Sequence, residues 1–225
     1  MIAKMLKSAQ KFLLHFDTRR RFFRRLHGAQ RVLDLGCGDG KNCLELRETA
    51  AHLEFYGIDL LDPKMVPGFI QYQQADLNTA NLPYPDGFFD AILFVHVIEH
   101  LENPMRLGSE IHRVLKPGGK IYVETPNWIS MFMPSFGFKR DQGYPFNFFD
   151  DRTHRKPWSK HGLYEFLRQD CKLNAVKAGT RRNWLKFFLD PVIMFFALLR
   201  GNRPYLVSSF WNVTGWCIYA IGIKG

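Results

Sequence analysis

The chain has 225 residues, 46% of them hydrophobic, which is enough apolar material for the core of one α/β domain with additions. Its four cysteines, Cys37, Cys43, Cys171 and Cys217, form no Cys-x-x-Cys pair, which argues against a disulfide scaffold or a zinc ribbon and reads as a set of reduced thiols. The formal charge of +10 is unevenly spread: residues 1–31 carry +8, residues 32–125 carry −7 and residues 126–225 carry +9. Basic, aromatic-rich flanks around an acidic centre point to an anionic partner, either a membrane surface or a nucleic acid.

Residues 2–16 place Ile2, Met5, Leu6, Ala9, Phe12, Leu13 and Phe16 at helical spacing, with Lys4, Lys7 and Lys11 on the other face. There is no continuous apolar core of the secretory kind, so a cytoplasmic chain is expected, either with peripheral membrane contact or without it. An Arg-rich, acid-poor start also has the form of an organelle transit peptide. Arg19, Arg20, Arg21, Arg24 and Arg25 follow on a second short helix. Residues 1–30 thus read as a basic helical extension, and residues 31–225 as the main domain.

Val32-Leu33-Asp34-Leu35 is a buried strand, and Gly36-Cys37-Gly38-Asp39-Gly40 turns the chain into a helix from Lys41 to Arg47. Glycines there let backbone approach a ligand, and the helix start aims free N–H groups at it. The spacing G-x-G-x-G differs from the G-x-G-x-x-G of dinucleotide sites, which disfavours a dehydrogenase. A carboxylate ahead of the turn, Asp34, suits a ligand bearing an ammonium or sulfonium and repels a pyrophosphate. A second strand over 53–59 ends at Asp59, nineteen residues past Gly40, where a carboxylate can accept both ribose hydroxyls. A third, over 69–75, is followed by Asp76 and Leu77.

At these residues the sequence resembles the class I S-adenosylmethionine-dependent methyltransferases. The resemblance implies S-adenosylmethionine as cofactor and a Rossmann-like, seven-stranded, mostly parallel sheet with helices on both faces. It implies a cofactor set of Asp34, Gly36, Cys37, Gly38, Gly40, Asp59, Leu60, Asp76, Leu77 and Phe94, in which Asp76 would meet the adenine amino group and Leu77 its ring.

The fourth strand, 89–95, is nearly all apolar, as a central parallel strand should be. Then come His96-Val97-Ile98-Glu99-His100-Leu101, an Asn103 cap with Pro104, a helix to about Leu115, and a Lys116-Pro117-Gly118-Gly119 stop before a fifth strand over 120–125. Residues 89–101 and 115–119 again look like this family, nearest to its ubiquinone-biosynthesis type. Residues 126–158 form a long loop rich in aromatics, including Trp128, Phe132, Phe136, Tyr144 and Trp158, of the kind that makes lids or binding loops. Ser159 caps a helix to about Asp170, with Trp158 and Leu163 as a hydrophobic staple. Strands near 173–178 and 215–224 close the domain, and the stretch between them is an insertion over about 180–213.

In that insertion Asp190, Pro191 and Gly201 bracket a helix apolar all round, Val192 to Leu199, with Arg181, Arg182, Lys186, Arg200 and Arg203 flanking it. At ~1.5 Å per residue it is too short to cross a bilayer, so it either enters one leaflet or covers the substrate cleft. Methyl transfer to an oxygen gains from a general base, and histidine suits neutral pH. His154 and His96 are the candidate bases. Glu99 with His100 resembles a metal-assisting pair in some quinone O-methyltransferases; two ligands without a third assign no metal. The expected function is methylation of a small or lipid-linked acceptor, on oxygen, at a membrane surface. An RNA methyltransferase and a non-catalytic cofactor-binding scaffold are the alternatives. Amine-methylating nucleic-acid enzymes carry Asn-Pro-Pro-Tyr or Asp-Pro-Pro-Tyr where this chain has Phe94-Val95-His96-Val97.

Overall fold

The computed structural model describes residues 17–26, 28–48, 50–79, 81–135 and 145–225. The amphipathic stretch 2–16 lies outside the described residues, as do Phe136 and Tyr144. Seven strands form one sheet: β1 (Arg31–Leu35), β2 (Glu54–Asp59), β3 (Ile70–Gln74), β4 (Phe89–Val95), β5 (Leu115–Pro126), β6 (Ala175–Thr180) and β7 (Cys217–Ile223). Their order is β3-β2-β1-β4-β5-β7-β6. All pairings are parallel except those of β7, which runs antiparallel to both β5 and β6. The order reverses direction between β1 and β4, and ligands of open α/β sheets bind at the carboxyl ends of strands at such a point.

Helices cover both faces. On one, α3 (Pro104–Val114) and α4 (Lys160–Glu165), continued by a wider turn over Phe166–Asp170, bury Leu107, Ile111, Leu163 and Phe166 against the sheet. On the other, α1 (Thr18–Phe23) and α2 (Lys41–Arg47) bury Phe22, Phe23, Cys43 and Leu46. The α1 cap is Asp17, whose side chain accepts from the Arg19 and Arg20 amides. Ser159 caps α4 as its sequence predicts, accepting from Gly162 N.

Three boundaries differ from the sequence reading. Helix α3 ends at Val114, and residues 115–119 join β5 instead of stopping a helix. Leu115 pairs with Phe89, a register shift follows, and Gly118 N donates to the Lys224 carbonyl. The pairing partners, distant in sequence, override the local stop signal.

The apolar helix of the insertion also starts earlier. Helix α5 runs Trp184–Leu199, capped by Asn183, with Pro191 inside it, and α6 spans Arg203–Thr214. Asp190 is therefore not a cap. It is fully buried, it accepts from Asn212 Nδ2 at 2.5 Å, and it pairs with Lys186 at 3.1 Å. Gly201 does turn the chain, at φ +63 between the two helices. The hairpin leaves the sheet where β6 ends and returns where β7 begins, at the same edge as the carboxyl ends of β1 to β5. No helix among the described residues is long and apolar enough to cross a membrane.

Candidate active site

A groove of about 470 Å³ opens at this edge, lined by Gly36, Gly38, Asp59, Leu60, Leu61 and Asp76 on one wall and His96, Val97, His100, Thr153 and Arg155 on the other. Its volume is that of a cofactor-sized cleft. The first wall is built by the strand ends. β1 delivers the glycine turn, whose Gly36 and Cys37 amides both donate to the Ile58 carbonyl at the end of β2. Asp59 follows directly. Its Oδ2 accepts from Gly38 N at 2.8 Å and its Oδ1 from Leu61 N at 3.2 Å, so turn and strand end hold each other. Gly38 sits at φ +53, and a Cβ there would meet nothing within 4 Å. That open space is the cradle a side chain would fill. Gly40 differs: it caps α2 at φ +76, and a Cβ would meet Ile70 at 2.6 Å and Pro67 at 2.9 Å.

Asp76 Oδ1 accepts from the amide and the side chain of Asn78. Its Oδ2 bonds no described residue, and buried Leu77 and exposed Leu60 flank it. An acid pair, Asp59 and Asp76, thus stands on a groove with apolar neighbours and a glycine cradle, which fits a ribose and a purine amine. Cys37, Gly40 and Phe94 are not on the lining. Cys37 and Phe94 are buried, Cys37 against Gly57 and Phe94 in the core of the other sheet face. Asp34 is not on it either. It is fully buried beneath the turn, with Oδ2 at 3.7 Å from the Cys43 thiol and no hydrogen-bond partner on Oδ1 among the described residues. Burial pushes its pKa up to about 7, against the smaller opposing pull of Asn42, Cys43 and Arg19. Asp34 and Phe94 lie within strands, whose side chains alternate between faces, and in the turn itself Gly36 and Gly38 line the groove while Cys37 and Gly40 do not.

If Asp59 accepts ribose hydroxyls, two charge-assisted bonds there contribute together about 2–4 kcal/mol. Asp59→Ala is expected to weaken S-adenosylmethionine binding by about thirty-fold to a thousand-fold, read by calorimetry, with a cooperative unfolding transition preserved. An unchanged dissociation constant would remove Asp59 from the ribose site.

The second wall carries the histidines. His96 follows β4 at φ +56, a strained conformation for a residue with a side chain. Its Nδ1 faces Glu99 Oε1 at 3.3 Å and its Nε2 faces Glu124 Oε1 at 3.2 Å, with Cys217 Sγ at 3.9 Å. Burial alone would lower its pKa; the contacts with Cys217, Glu124 and Glu99 outweigh this and raise it well above the ordinary value. An imidazolium donating from both nitrogens has no lone pair, so the expectation of His96 as a base does not fit this geometry. The sequence places neither Glu99 nor Glu124 against it.

His154 lies one ring deeper than the wall. Its Nδ1 donates to the Phe148 carbonyl at 2.6 Å, which leaves the lone pair on Nε2, 4.0 Å from Asp151 Oδ2, and burial lowers its pKa despite that bond. The residue that reaches the groove in its place is His100, whose ring centre is 4.8 Å away. Thr153 Oγ1 donates to Asp151 Oδ1 at 2.6 Å, so it accepts from His100 Nδ1 at 2.9 Å and leaves His100 Nε2 free. Arg155 joins the wall because its amide donates to the Glu99 carbonyl at 2.7 Å. Loop 145–158 makes this arrangement, and no periodicity in the sequence marks it. Glu99, His100 and His154 each bring one ligand atom within 4.8 Å of the others, which supplies the third side chain missing from the sequence reading. Both Glu99 oxygens are already taken, by His96 and by the Thr125 hydroxyl at 2.9 Å, in competition with an ion.

An open sheet with a glycine cradle and two acids at its switch point defines a nucleotide-cofactor enzyme of Rossmann-like fold. The methyltransferase-domain family model matches residues 5–170, and the chain belongs to that family of S-adenosylmethionine-dependent methyltransferases. A probable S-adenosylmethionine-dependent methyltransferase of Mycolicibacterium smegmatis is 35% identical over 102 residues, covering 44% of this chain and 39% of that one. The ubiquinone/menaquinone biosynthesis C-methyltransferase of a Geobacter species is 33% identical over 108 residues, covering 44% and 46%. The match thus spans less than half the length of these curated relatives. A solved S-adenosylmethionine-dependent methyltransferase from Archaeoglobus fulgidus shares the fold, with a TM-score of 0.58 at 22% identity, covering 92% of this chain and 95% of that one.

Proposed function

We propose that the chain transfers a methyl group from S-adenosylmethionine to an oxygen of a small or lipid-linked acceptor, working at a membrane surface. The observation that carries this reading is the groove itself, with acids and the glycine cradle on one wall and an imidazole pair on the other. The cofactor, when bound, supplies a methyl group on a sulfonium. The protein's part is to hold it and to exclude water. Asp59 and Asp76 bind and orient, and the glycine turn admits the ligand against the backbone.

An oxygen acceptor must lose a proton as it takes the methyl. His100 keeps the lone pair on Nε2, and so does His154, whose Nε2 lies 4.0 Å from Asp151 Oδ2 and whose lowered pKa favours the neutral ring at pH 7. The pair is placed to receive that proton, His100 at the groove and His154 behind it. His96 acts differently. Its cationic ring ties the end of β4 to β5 through Glu124 and positions the wall.

The reading is tested by transfer of labelled methyl into fractionated lipid, glycolipid and RNA extracts. Label is expected in a lipid fraction, and His154→Ala is expected to lower that turnover about a hundred-fold or more with cofactor affinity unchanged. Label confined to RNA would instead support the nucleic-acid alternative, for which the basic flanks also speak. Cofactor binding without transfer into any fraction would support the scaffold reading. Normal turnover of the variant would leave the proton to His100 alone or to solvent.

A further inference from the structure

The hairpin α5–α6 is built inside out. Its polar side chains face each other. Lys186 Nζ reaches Ser208 Oγ at 2.9 Å, Ser209 Oγ at 3.3 Å and Asp190 at 3.1 Å. Asn212 bonds both Asp190 and the Asn183 carbonyl, and Asn183 N donates to Asn212 Oδ1 at 2.6 Å. The outward face is apolar. Trp184, Phe188, Val192, Phe195 and Leu199 repeat every three or four residues as one stripe, and Phe188 is 74% exposed. A water-facing helix carries the reverse pattern. Helices joined by polar contacts with an apolar exterior are the arrangement that hydrocarbon selects.

A second apolar surface lies on the same edge of the sheet. Trp128, Ile129 and Phe132 follow the end of β5, and Phe149 comes from the loop that packs beside them; Phe132 is 72% exposed. This loop is tied to the hairpin. Trp211 Nε1 donates to the Pro145 carbonyl at 2.9 Å, and Phe146 packs on Phe210 with ring centres 4.5 Å apart. Thirteen of the eighteen large apolar side chains exposed among the described residues sit on α5 or on this second surface. Cations border both. Arg200 lies at the hairpin tip over Phe196, and Arg152 and Arg155 lie at the loop, with no ion pair to any of the three among the described residues. Residues 126–225 carry +9 overall.

We propose that the α5 stripe and the Trp128/Phe132/Phe149 surface are two contacts of one docking face for an anionic phospholipid bilayer. Apolar side chains enter the headgroup region and the arginines meet lipid phosphates. At 16 residues, α5 is ~24 Å long, shorter than the ~30 Å hydrocarbon core, so the hairpin lies in one leaflet and does not cross. The groove opens on the edge that docks, and an acceptor held in the bilayer meets it there. This deepens the membrane reading of the proposed function and rests on it.

The test is flotation of the full chain with vesicles of phosphatidylcholine alone and of phosphatidylcholine mixed with phosphatidylglycerol. Binding is expected to the anionic vesicles, to weaken at high salt, and to fall about ten-fold or more in each of two double variants, Phe188→Ser/Phe195→Ser and Phe132→Ser/Phe149→Ser. These side chains are exposed, so both variants should keep the wild-type melting temperature. A loop variant that binds like wild type would overturn the two-contact face. A wild type that stays unbound at low salt would overturn the proposal entirely, and sedimentation showing a dimer lost in the Phe188/Phe195 variant would assign the face to a second copy. The thermal shift with S-adenosylmethionine is measured in parallel. Docking without that shift would fail the enzymatic reading and leave the docking face standing; the shift without docking would do the reverse.

Discussion

Glu124→Gln is expected to lose about 3 kcal/mol of folding stability at pH 7, because it removes a fully buried carboxylate and leaves the partly buried Arg19, Arg181 and His96 without their shared counter-charge. Glu124 is fully buried at the carboxyl end of β5. Its Oε1 meets Arg19 Nη2 at 3.3 Å, Arg181 Nη1 at 3.1 Å and His96 Nε2 at 3.2 Å, and its Oε2 accepts from Tyr122 at 2.6 Å. Arg19 comes from α1 and Arg181 from the segment after β6, and Arg181 also pairs with Asp17 at 3.1 Å. One carboxylate therefore joins the helical extension, two neighbouring strands and the start of the hairpin. Burial alone would raise its pKa; Arg181, Arg19 and His96 outweigh that and hold it well below the ordinary 4.5. A depressed carboxyl contributes stability above its unfolded pKa and loses it as the pH falls through the folded one. Acid unfolding below pH 4.5 should thus be steeper in the wild type than in the variant. Urea unfolding at pH 7 checks the magnitude. A change under about 1 kcal/mol would mean that solvent already shields these cations.

The strands were legible because each is an apolar run with turn signals at its ends. β4 reads Phe89-Asp90-Ala91-Ile92-Leu93-Phe94-Val95 and is buried along nearly its whole length. The terminator before β5 misled because Lys116-Pro117-Gly118-Gly119 is a helix stop by local chemistry, whereas its fate is set by Lys224 and Phe89 from elsewhere in the chain. Pro191 misled in a similar way. Proline usually opens a helix, but Asn183 offers a cap seven residues before Asp190, and Asp190 is held by α6. Contacts between helices outweigh the local preference.

In the site, Gly36, Gly38, Asp59, Leu60, Asp76 and Leu77 come together on one wall because their spacing follows the strand-turn-helix repeat. The other wall was not legible. Its place after β5 points to His154, but that ring is drawn to the Phe148 carbonyl, and His100 takes the groove. The Asp151–Thr153–His100 chain depends on the fold of loop 145–158, where residues distant in sequence meet without any periodic signal.

Asp34 carries the other large expectation. Replacing it with Asn should stabilise the fold at pH 8 by up to about 4 kcal/mol while weakening S-adenosylmethionine binding. The carboxyl is fully buried, its Oδ1 has no partner among the described residues, and desolvation lifts its pKa from 3.8 to about 7. An acid whose folded pKa is raised adds most to stability below its unfolded pKa, and that contribution is lost as the pH rises through the folded one. Wild-type stability should therefore fall between about pH 4 and pH 7, and Asp34→Asn, which has no charge to bury, should flatten that slope. The gain should be small at pH 4 and complete by pH 8. A carboxyl kept at this disadvantage directly under the ligand turn is the kind of local conflict that marks functional positions. A cationic cofactor seated above it would favour the ionised form, so binding should release a proton near pH 7 in the wild type and none in the variant. Urea unfolding from pH 4 to pH 8 and calorimetry in buffers of different ionisation enthalpy measure the two effects. Equal stability at pH 8 would show the carboxylate to be solvated or paired, and equal affinity would confine Asp34 to the core.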